Sequence, residues 1–255
     1  MNKPTNRTLT VALLLAALSL LAGCSTVPVL APDSQAPLRR YEDVVKTPTE
    51  QQLLRVSDPI EGFNRGAYRF NYNFDKYLFL PVVKGYRFVM PDYAEQRVSN
   101  FYDNIFEFTN FTNSLLQLKW KKTGITTARF AINSTVGIAG LWDPATKWGL
   151  RRQSEDFGQT LGHYGVSNGA YIVLPVAGPS NVRDTTGLVV DSVAFNTVDP
   201  LNFDSNQEWE APFNALYAVD KRKRIPFRYY DTGSPFEYEL VRMLNTQYRA
   251  FQVAD

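Results

Sequence analysis

The stretch DPIEGFNRGAYRFNYNFDKY, residues 58–77, sets the character of the chain. Asp58, Pro59 and Glu61 predict a helix start, with an acceptor side chain at the cap, a fixed φ at the first position and a carboxylate in the first turn. Ile60, Phe63, Ala67, Phe70, Phe74 and Tyr77 then recur every three or four residues, which is one face of an α-helix. Asn64, Arg65, Asn71 and Asp75 cover the other directions. Pro81 is expected to end this helix, because it has no N–H to donate and its ring crowds the preceding turn.

The same periodicity returns on either side. Val98, Phe101, Tyr102 and Ile105 follow Asp92 in register. Phe108, Phe111, Leu115 and Leu118 mark a third helix from about Phe106, and Ile125, Ala128, Ile132 and Val136 a fourth after Thr123. GIAGLWDP, residues 137–144, interrupts it; two glycines around bulky apolar residues predict a flexible or re-entrant hairpin over 137–150. Ser154-Glu155-Asp156 opens a short helix that Gly162 and Gly165 close. Residues 171–174, YIVL, form the one convincing extended run. Ser180 is expected to start a helix reaching about Asp191, and Ser234-Pro235-Phe236-Glu237 reads as a capping box for a last one. The fold class is therefore mainly α.

These helices are amphipathic, and no apolar run beyond the first 23 residues reaches the roughly 18–20 needed to cross a bilayer. Two arrangements satisfy such helices: a bundle that buries each apolar face, or a body whose apolar faces lie in a leaflet. Periodicity alone does not separate them.

Residues 1–23 have the layout of a secretory leader. Lys3 and Arg7 precede an apolar run, Leu9 to Leu21, which ends in Ala22-Gly23-Cys24. Leu21-Ala22-Gly23-Cys24 resembles a bacterial lipobox, which implies that Cys24 becomes the first mature residue and carries acyl chains. Several chains hold firmly where one holds weakly. Ser25, rather than an aspartate, favours the outer membrane on the same resemblance. Residues 24–57, with Pro28, Pro32, Pro37 and Pro48, read as a flexible tether. The body is assigned to 58–220 and a basic, helical C-terminal segment to 221–255. Without Lys3 and Arg7 the 27 basic residues come level with the 25 acidic ones, so a globally basic nucleic-acid binder is not supported. The aromatic share, 14%, is high and suits either an aromatic core or a membrane interface.

Few residues invite catalysis. Gly165-Val166-Ser167-Asn168-Gly169 matches G-x-S-x-G, but that elbow needs a strand before it, and here the extended run comes after. A lipid hydrolase using Ser167 is kept as an alternative, as is a purely structural lipoprotein. His163 is the only histidine and Cys24 the only cysteine, so no metal site and no cofactor is expected. Three basic clusters remain, at Lys119–Lys122, Arg151-Arg152 and Lys221–Arg224; beside Trp and Tyr they suit phosphate head groups, or they are solvated loops.

Together the motifs resemble one family. Asp58 to Arg65, Asn100-Phe101, Thr109-Asn110, Arg129 to Thr135 with Gly137 and Gly140, Gly158 to Gly165, Tyr171 to Pro175 and Arg183-Asp184 are similar to the MlaA (VacJ) lipoproteins. The resemblance is strong from about Asp58 to Asp191 and loose beyond. It implies a ring of amphipathic helices lying in the inner leaflet of the outer membrane, with a central amphipathic channel and a glycine-flanked hairpin. It also implies transport of mislocalised phospholipids from the outer leaflet to a periplasmic carrier protein, beside a porin trimer, without catalysis. Phe63 would pack the ring, Asn64 and Arg65 would line or flank the channel, and Gly137, Gly140, Leu141 and Asp143 would belong to a gating hairpin.

Overall fold

The computed structural model describes residues 56–255. The leader, Cys24 and nearly all of the expected tether lie outside the described residues.

Helix α1 (Glu61–Phe74) passes through a π-helical turn, Asp75–Phe79, straight into α2 (Leu80–Val89). Pro81 therefore does not end the helix. It sits in the first turn of α2, just after the wider turn in which Leu80 N–H donates to the Asp75 carbonyl. At that position a missing N–H costs little. Asp58 does not cap α1 either; Ile60 holds the cap position. The Asp58 carboxylate instead accepts from Asn64 Nδ2 at 2.6 Å, from the Tyr238 hydroxyl and from Arg242 Nη1 at 3.0 Å. It thus ties the start of the body to its last helix.

Three helices follow: α3 (Asp92–Ile105), α4 (Glu107–Leu116) and α5 (Trp120–Thr135). Next come the short α6 (Pro144–Lys147) and α7 (Phe157–His163), the latter capped by Asp156, which accepts from Gln159 N–H at 2.8 Å. Strand β1 (Tyr171–Leu174) pairs antiparallel with β2 (Gly178–Asn181), Tyr171 opposite Asn181 and Leu174 opposite Gly178. Helix α8 (Val182–Val198) is capped by Asn181 rather than Ser180 and runs past Asp191, until Asp199 adopts a left-handed φ of 43°. Helix α9 (Gln207–Arg224), with Trp209, Phe213, Leu216 and Tyr217 at helical spacing and Pro212 inside it, is not among the helices expected. Its last turn is Lys221–Arg224, where cations offset the partial negative charge of the helix C-terminus. Helix α10 (Glu237–Ala254) lacks the expected capping box, since Glu237 is buried and accepts from Tyr68 Oη at 2.7 Å and Thr232 Oγ1 at 2.6 Å.

What these helices bury is mostly polar. On α4 the buried side is Glu107, Asn110 and Asn113, continued by Gln117; on α5 it is Thr123, Thr126, Arg129 and Asn133. On α1 it is Asn64, Asn71, Ala67 and Tyr68. Apart from Ala67 and Tyr102, which are buried, the apolar residues that mark the periodicity lie outward or half outward: Phe63 is 50% exposed, Leu118 60% and Val136 59%. A small apolar core survives where Ala67, Tyr68, Tyr171, Val173 and Tyr238 meet. Leaving large apolar side chains in water forgoes about 25 cal/mol per Å². Exposure on this scale marks a surface that contacts something apolar. Among the described residues no helix is long and apolar enough to cross a membrane. Of the two arrangements open to the sequence, the helices adopt the one with apolar faces outward.

Helix α8 shows the arrangement most plainly. It buries only Arg183 and Gly187, while Val182, Leu188, Val189 and Val193 face outward. A Cβ on Gly187 would collide with the backbone nitrogen of Gly158 on α7. Backbone therefore rides on backbone, the packing that helices use in lipid, where small residues replace hydrophobic burial. Gly187→Ala should lower stability by about 1–3 kcal/mol through overpacking. Val193→Ala should change it by less than about 0.5 kcal/mol. Thermal unfolding in detergent measures both, and equal losses would contradict the crossing described here.

Candidate functional site

The segment after α5 folds as a tight hairpin because its glycines let backbone meet backbone. A Cβ on Gly137 would strike the carbonyl oxygens of Asn133 and Trp142, and one on Gly140 would strike the Asn104 side chain. Ile138, Ala139 and Gly140 all have positive φ, at 50°, 53° and 85°. Ala139 N–H donates to the Ser134 carbonyl at 2.9 Å, Gly140 N–H to Asn133 at 2.8 Å and Trp142 N–H to Gly137 at 2.9 Å. Asn100 Nδ2 on α3 donates to the Leu141 carbonyl at 3.1 Å.

Arg129 holds the far limb of the hairpin. Its side chain is 2% exposed. Nε donates to Glu107 Oε1 at 2.6 Å, Nη1 to Thr146 Oγ1 at 2.8 Å and to the Leu150 carbonyl at 2.6 Å, and Nη2 to Asp143 Oδ2 at 3.3 Å. One guanidinium thus joins α4 and α5 to the chain from Asp143 to Leu150. Asp143 also accepts from Asn133 Nδ2 at 3.0 Å, from Thr146 N–H at 3.0 Å and from Thr146 Oγ1 at 2.6 Å. Burial alone would push the Asp143 carboxyl up. The Thr146 bonds and the Arg129 charge outweigh it and hold the group below the usual carboxylate range.

The polar network continues along α4. Asn110 Nδ2 donates to Glu107 Oε2 at 2.9 Å, and Asn110 Oδ1 accepts from Glu155 N–H at 3.2 Å. Glu155, fully buried, takes Lys122 at 2.7 Å, Lys119 at 3.4 Å and Gln117 Nε2 at 2.9 Å. Arg249 on α10 grips Asp156 with both Nη atoms, at 2.7 and 2.8 Å, and Asp184 through Nε at 2.7 Å.

Between α3 and the hairpin lies an open cavity of about 530 Å³. Gln96, Arg97 and Asn100 line it from α3; Trp142, Asp143, Thr146 and Lys147 line it from the hairpin side, with Val136 at the end of α5. Of the residues singled out in the sequence, Asp143 lines the cavity directly, and Gly137, Gly140 and Leu141 form the turn that shapes its wall. Phe63, Asn64 and Arg65 lie elsewhere on α1 and do not line it. Asn64 is fully buried across β1, donating to the Tyr171 carbonyl at 2.9 Å and accepting from Val173 N–H at 2.8 Å. Arg65 pairs with Glu61 at 2.6 Å and with Glu239, its guanidinium 4.4 Å from the Tyr238 ring centre. Gln96, Arg97 and Lys147 were not singled out in the sequence, and Asn100 entered only as part of the Asn100-Phe101 motif with no role assigned; the one hint was that polar residues interleave with the apolar positions of α3.

His163 is exposed at the last position of α7 and Ser167 is exposed on the connection from α7 to β1, so the strand follows the serine, the reverse of a nucleophile elbow. Among the described residues no group of three or more His, Cys, Asp or Glu is placed to hold a metal ion. The basic clusters mostly turn inward: Arg222 binds Asp75 at 2.7 Å, Lys223 binds Asp220 at 3.2 Å and Arg224 binds Asp103 at 2.7 Å. They are cross-links within the body rather than solvated loops.

Polar inside, apolar outside, with an open amphipathic cavity lined by Gln96, Arg97, Asn100, Asp143, Thr146 and Lys147 beside a pinned hairpin, this body is suited to work against lipid. The chain belongs to the MlaA lipoprotein family, whose model matches residues 56–252. It is 38% identical over 139 residues to the intermembrane phospholipid transport system lipoprotein MlaA of Escherichia coli strain K12, covering 53% of this chain and 55% of that one. The Haemophilus influenzae protein of the same name is 36% identical over 145 residues, 56% and 58% of the two chains. An uncharacterised protein of Rickettsia prowazekii is 38% identical over 182 residues, 71% of each chain. A solved structure from work on the structural basis for maintenance of bacterial outer membrane lipid asymmetry superposes with a TM-score of 0.64 at 32% identity, covering 77% of this chain and 99% of that chain.

Arg129→Met should destabilise the body by about 3–5 kcal/mol, because it strands a buried carboxylate at Glu107. Adding Glu107→Leu should recover most of the loss, and thermal melts of the two variants check this. Asp143 adds a pH dependence. Its folded pKa lies below the ordinary value, so its contribution is present above the ordinary carboxylate pKa and lost as pH falls through it towards the folded one. Asp143→Asn should therefore lose less stability than wild type between pH 6 and pH 3 in a series of acid melts.

Proposed function

We propose that this chain is an outer-membrane lipoprotein that removes mislocalised phospholipids from the outer leaflet and passes them to a periplasmic carrier. The observation that carries the reading is the inversion of the body, with apolar faces outward, polar and charged residues inside, and an amphipathic cavity bearing charged side chains beside the hairpin. Moving a charged head group through hydrocarbon is costly unless polar partners meet it. Acyl tails carry no such requirement. A body with an apolar outside and a polar path inside lowers the barrier for the head group alone. The family and the names of its relatives point the same way.

Cys24 carries the acyl anchor, and the body lies in the inner leaflet of the outer membrane beside a porin trimer. The hairpin around Gly137, Gly140, Leu141 and Asp143 gates the path by moving relative to α3. Phe63, Asn64 and Arg65 act at one remove: Asn64 fixes α1 to β1, and Phe63 offers its ring to the leaflet. The protein moves lipid without breaking bonds; Ser167 takes no part.

Cells lacking the gene should show more phospholipid in the outer leaflet, measured by labelling or enzymatic digestion of surface-exposed lipid, and the wild-type gene should restore the lower level. An unchanged outer leaflet would sink the transport reading. Cysteines replacing Asn100 and Leu141 should link α3 to the hairpin; transfer should stop when they are oxidised and return on reduction. Transfer that persists under oxidation would remove the gate assignment and leave transport standing.

A further inference from the structure

The cavity has a charge asymmetry that bears on which lipid it takes. Arg97 and Lys147 face it from opposite walls, and neither makes an ion pair among the described residues. Arg97 lies with its guanidinium 4.6 Å from the Tyr93 ring centre and 5.4 Å from that of Trp142. Its Nε is buried and donates to nothing. A buried donor left unpaired is costly, and a guanidinium that lines the cavity with a donor unspent and no carboxylate partner favours an anionic acceptor such as a phosphate.

The one carboxylate on the wall cannot compete for those cations. Asp143 already accepts four hydrogen bonds, two at each oxygen, from Asn133, Thr146 N–H, Thr146 Oγ1 and Arg129. A carboxylate has about four acceptor sites in all. An incoming ammonium would find neutral acceptors, the side-chain oxygens of Gln96, Asn100 and Thr146 and the ring of Trp142, and no uncommitted carboxylate among the lining residues. At about 530 Å³ the cavity falls within the roughly 300–1,000 Å³ of typical small-molecule sites.

We propose that this cavity is a phosphate-recognising subsite for the phospholipid head group, with Arg97 as the principal donor and Lys147 as the second cation, and that it favours anionic over zwitterionic lipids. Arg97 is also the strap between α3 and the hairpin, through its contact with Trp142. Occupation by a phosphate draws the guanidinium towards the ligand and loosens that strap, which couples head-group capture to movement of the hairpin. The inference deepens the transport reading and rests on it.

The test is calorimetric titration of the detergent-solubilised full mature chain with three probes: dihexanoyl phosphatidylglycerol, dihexanoyl phosphatidylethanolamine and inorganic phosphate. Wild type should bind the phosphatidylglycerol most tightly. Arg97→Gln should weaken that binding by on the order of tenfold or more and bring the two lipids close to parity. Lys147→Gln, which alters an exposed side chain and so leaves folding intact, should narrow the preference in the same direction by a smaller factor. Arg97→Lys should keep part of the affinity while losing the planar fork. Equal affinities for both lipids in wild type, or an unchanged preference in both glutamine variants, would overturn the subsite and leave transport intact. Phosphate binding as strong as the lipid's would make this a free-anion site and overturn the lipid assignment. A wild-type protein that binds neither lipid would bring down the transport reading itself.

Discussion

Arg129 is a full positive charge removed from water, and much of the body is arranged around keeping it satisfied. It needs Glu107 as counter-ion, which fixes α4 against α5. It needs further acceptors, which come from Asp143, Thr146 and Leu150 and so fix the limb of the hairpin. A buried ion pair is weak support for stability, because desolvation consumes most of the attraction, yet removing one partner is severe. Its strength lies in specifying one arrangement. The Arg129 constellation sets where the hairpin sits, and the hairpin sets the cavity.

The same logic extends through the interior. Glu155 with its lysines, Arg249 with Asp156 and Asp184, and Arg222 with Asp75 each link elements distant in sequence. For a protein in water this would be an expensive core, because polar groups gain little by exchanging water for one another. In a lipid environment the ledger reverses: the outside needs no polar cover, and the inside holds together by hydrogen bonds and by close backbone packing such as that of Gly158 and Gly187. The aromatic content fits this division. Tyr68, Tyr171 and Tyr238 fill the small apolar core edge to face, whereas Trp120, Trp148 and Trp209 remain outward.

Much of this was written in the sequence, though not all of it openly. Most of the helices follow from periodicity, and the apolar exterior matches what the family resemblance implies. Periodicity counts faces without saying which one is buried, so Asn64 and Asn71 read as merely off the apolar stripe although they are the inward contacts of α1. Local signals misled where a distant partner outbid them. Asp58 and Glu237 look like helix caps, but the hydroxyls of Tyr238 and Tyr68, 180 and 169 residues away in the chain, claim them instead. Pro81 failed as a terminator because the π turn before it had already displaced the bonding pattern. Helix α9 was overlooked because Pro212 breaks its apolar spacing, yet the proline sits within the helix. The cavity residues Arg97 and Lys147 belong to separate elements, and only the fold brings them to opposite walls.

The central claim is that the outward apolar side chains meet hydrocarbon while the polar interior does not. Nuclear Overhauser contacts between lipid acyl protons and labelled Val and Leu methyls, in protein reconstituted into lipid nanodiscs, test this directly. The account predicts strong acyl contacts at Val189 and Val193 on α8 and none at Val173, which is fully buried in the small core. Water contacts without lipid contacts at Val189 and Val193 would contradict it.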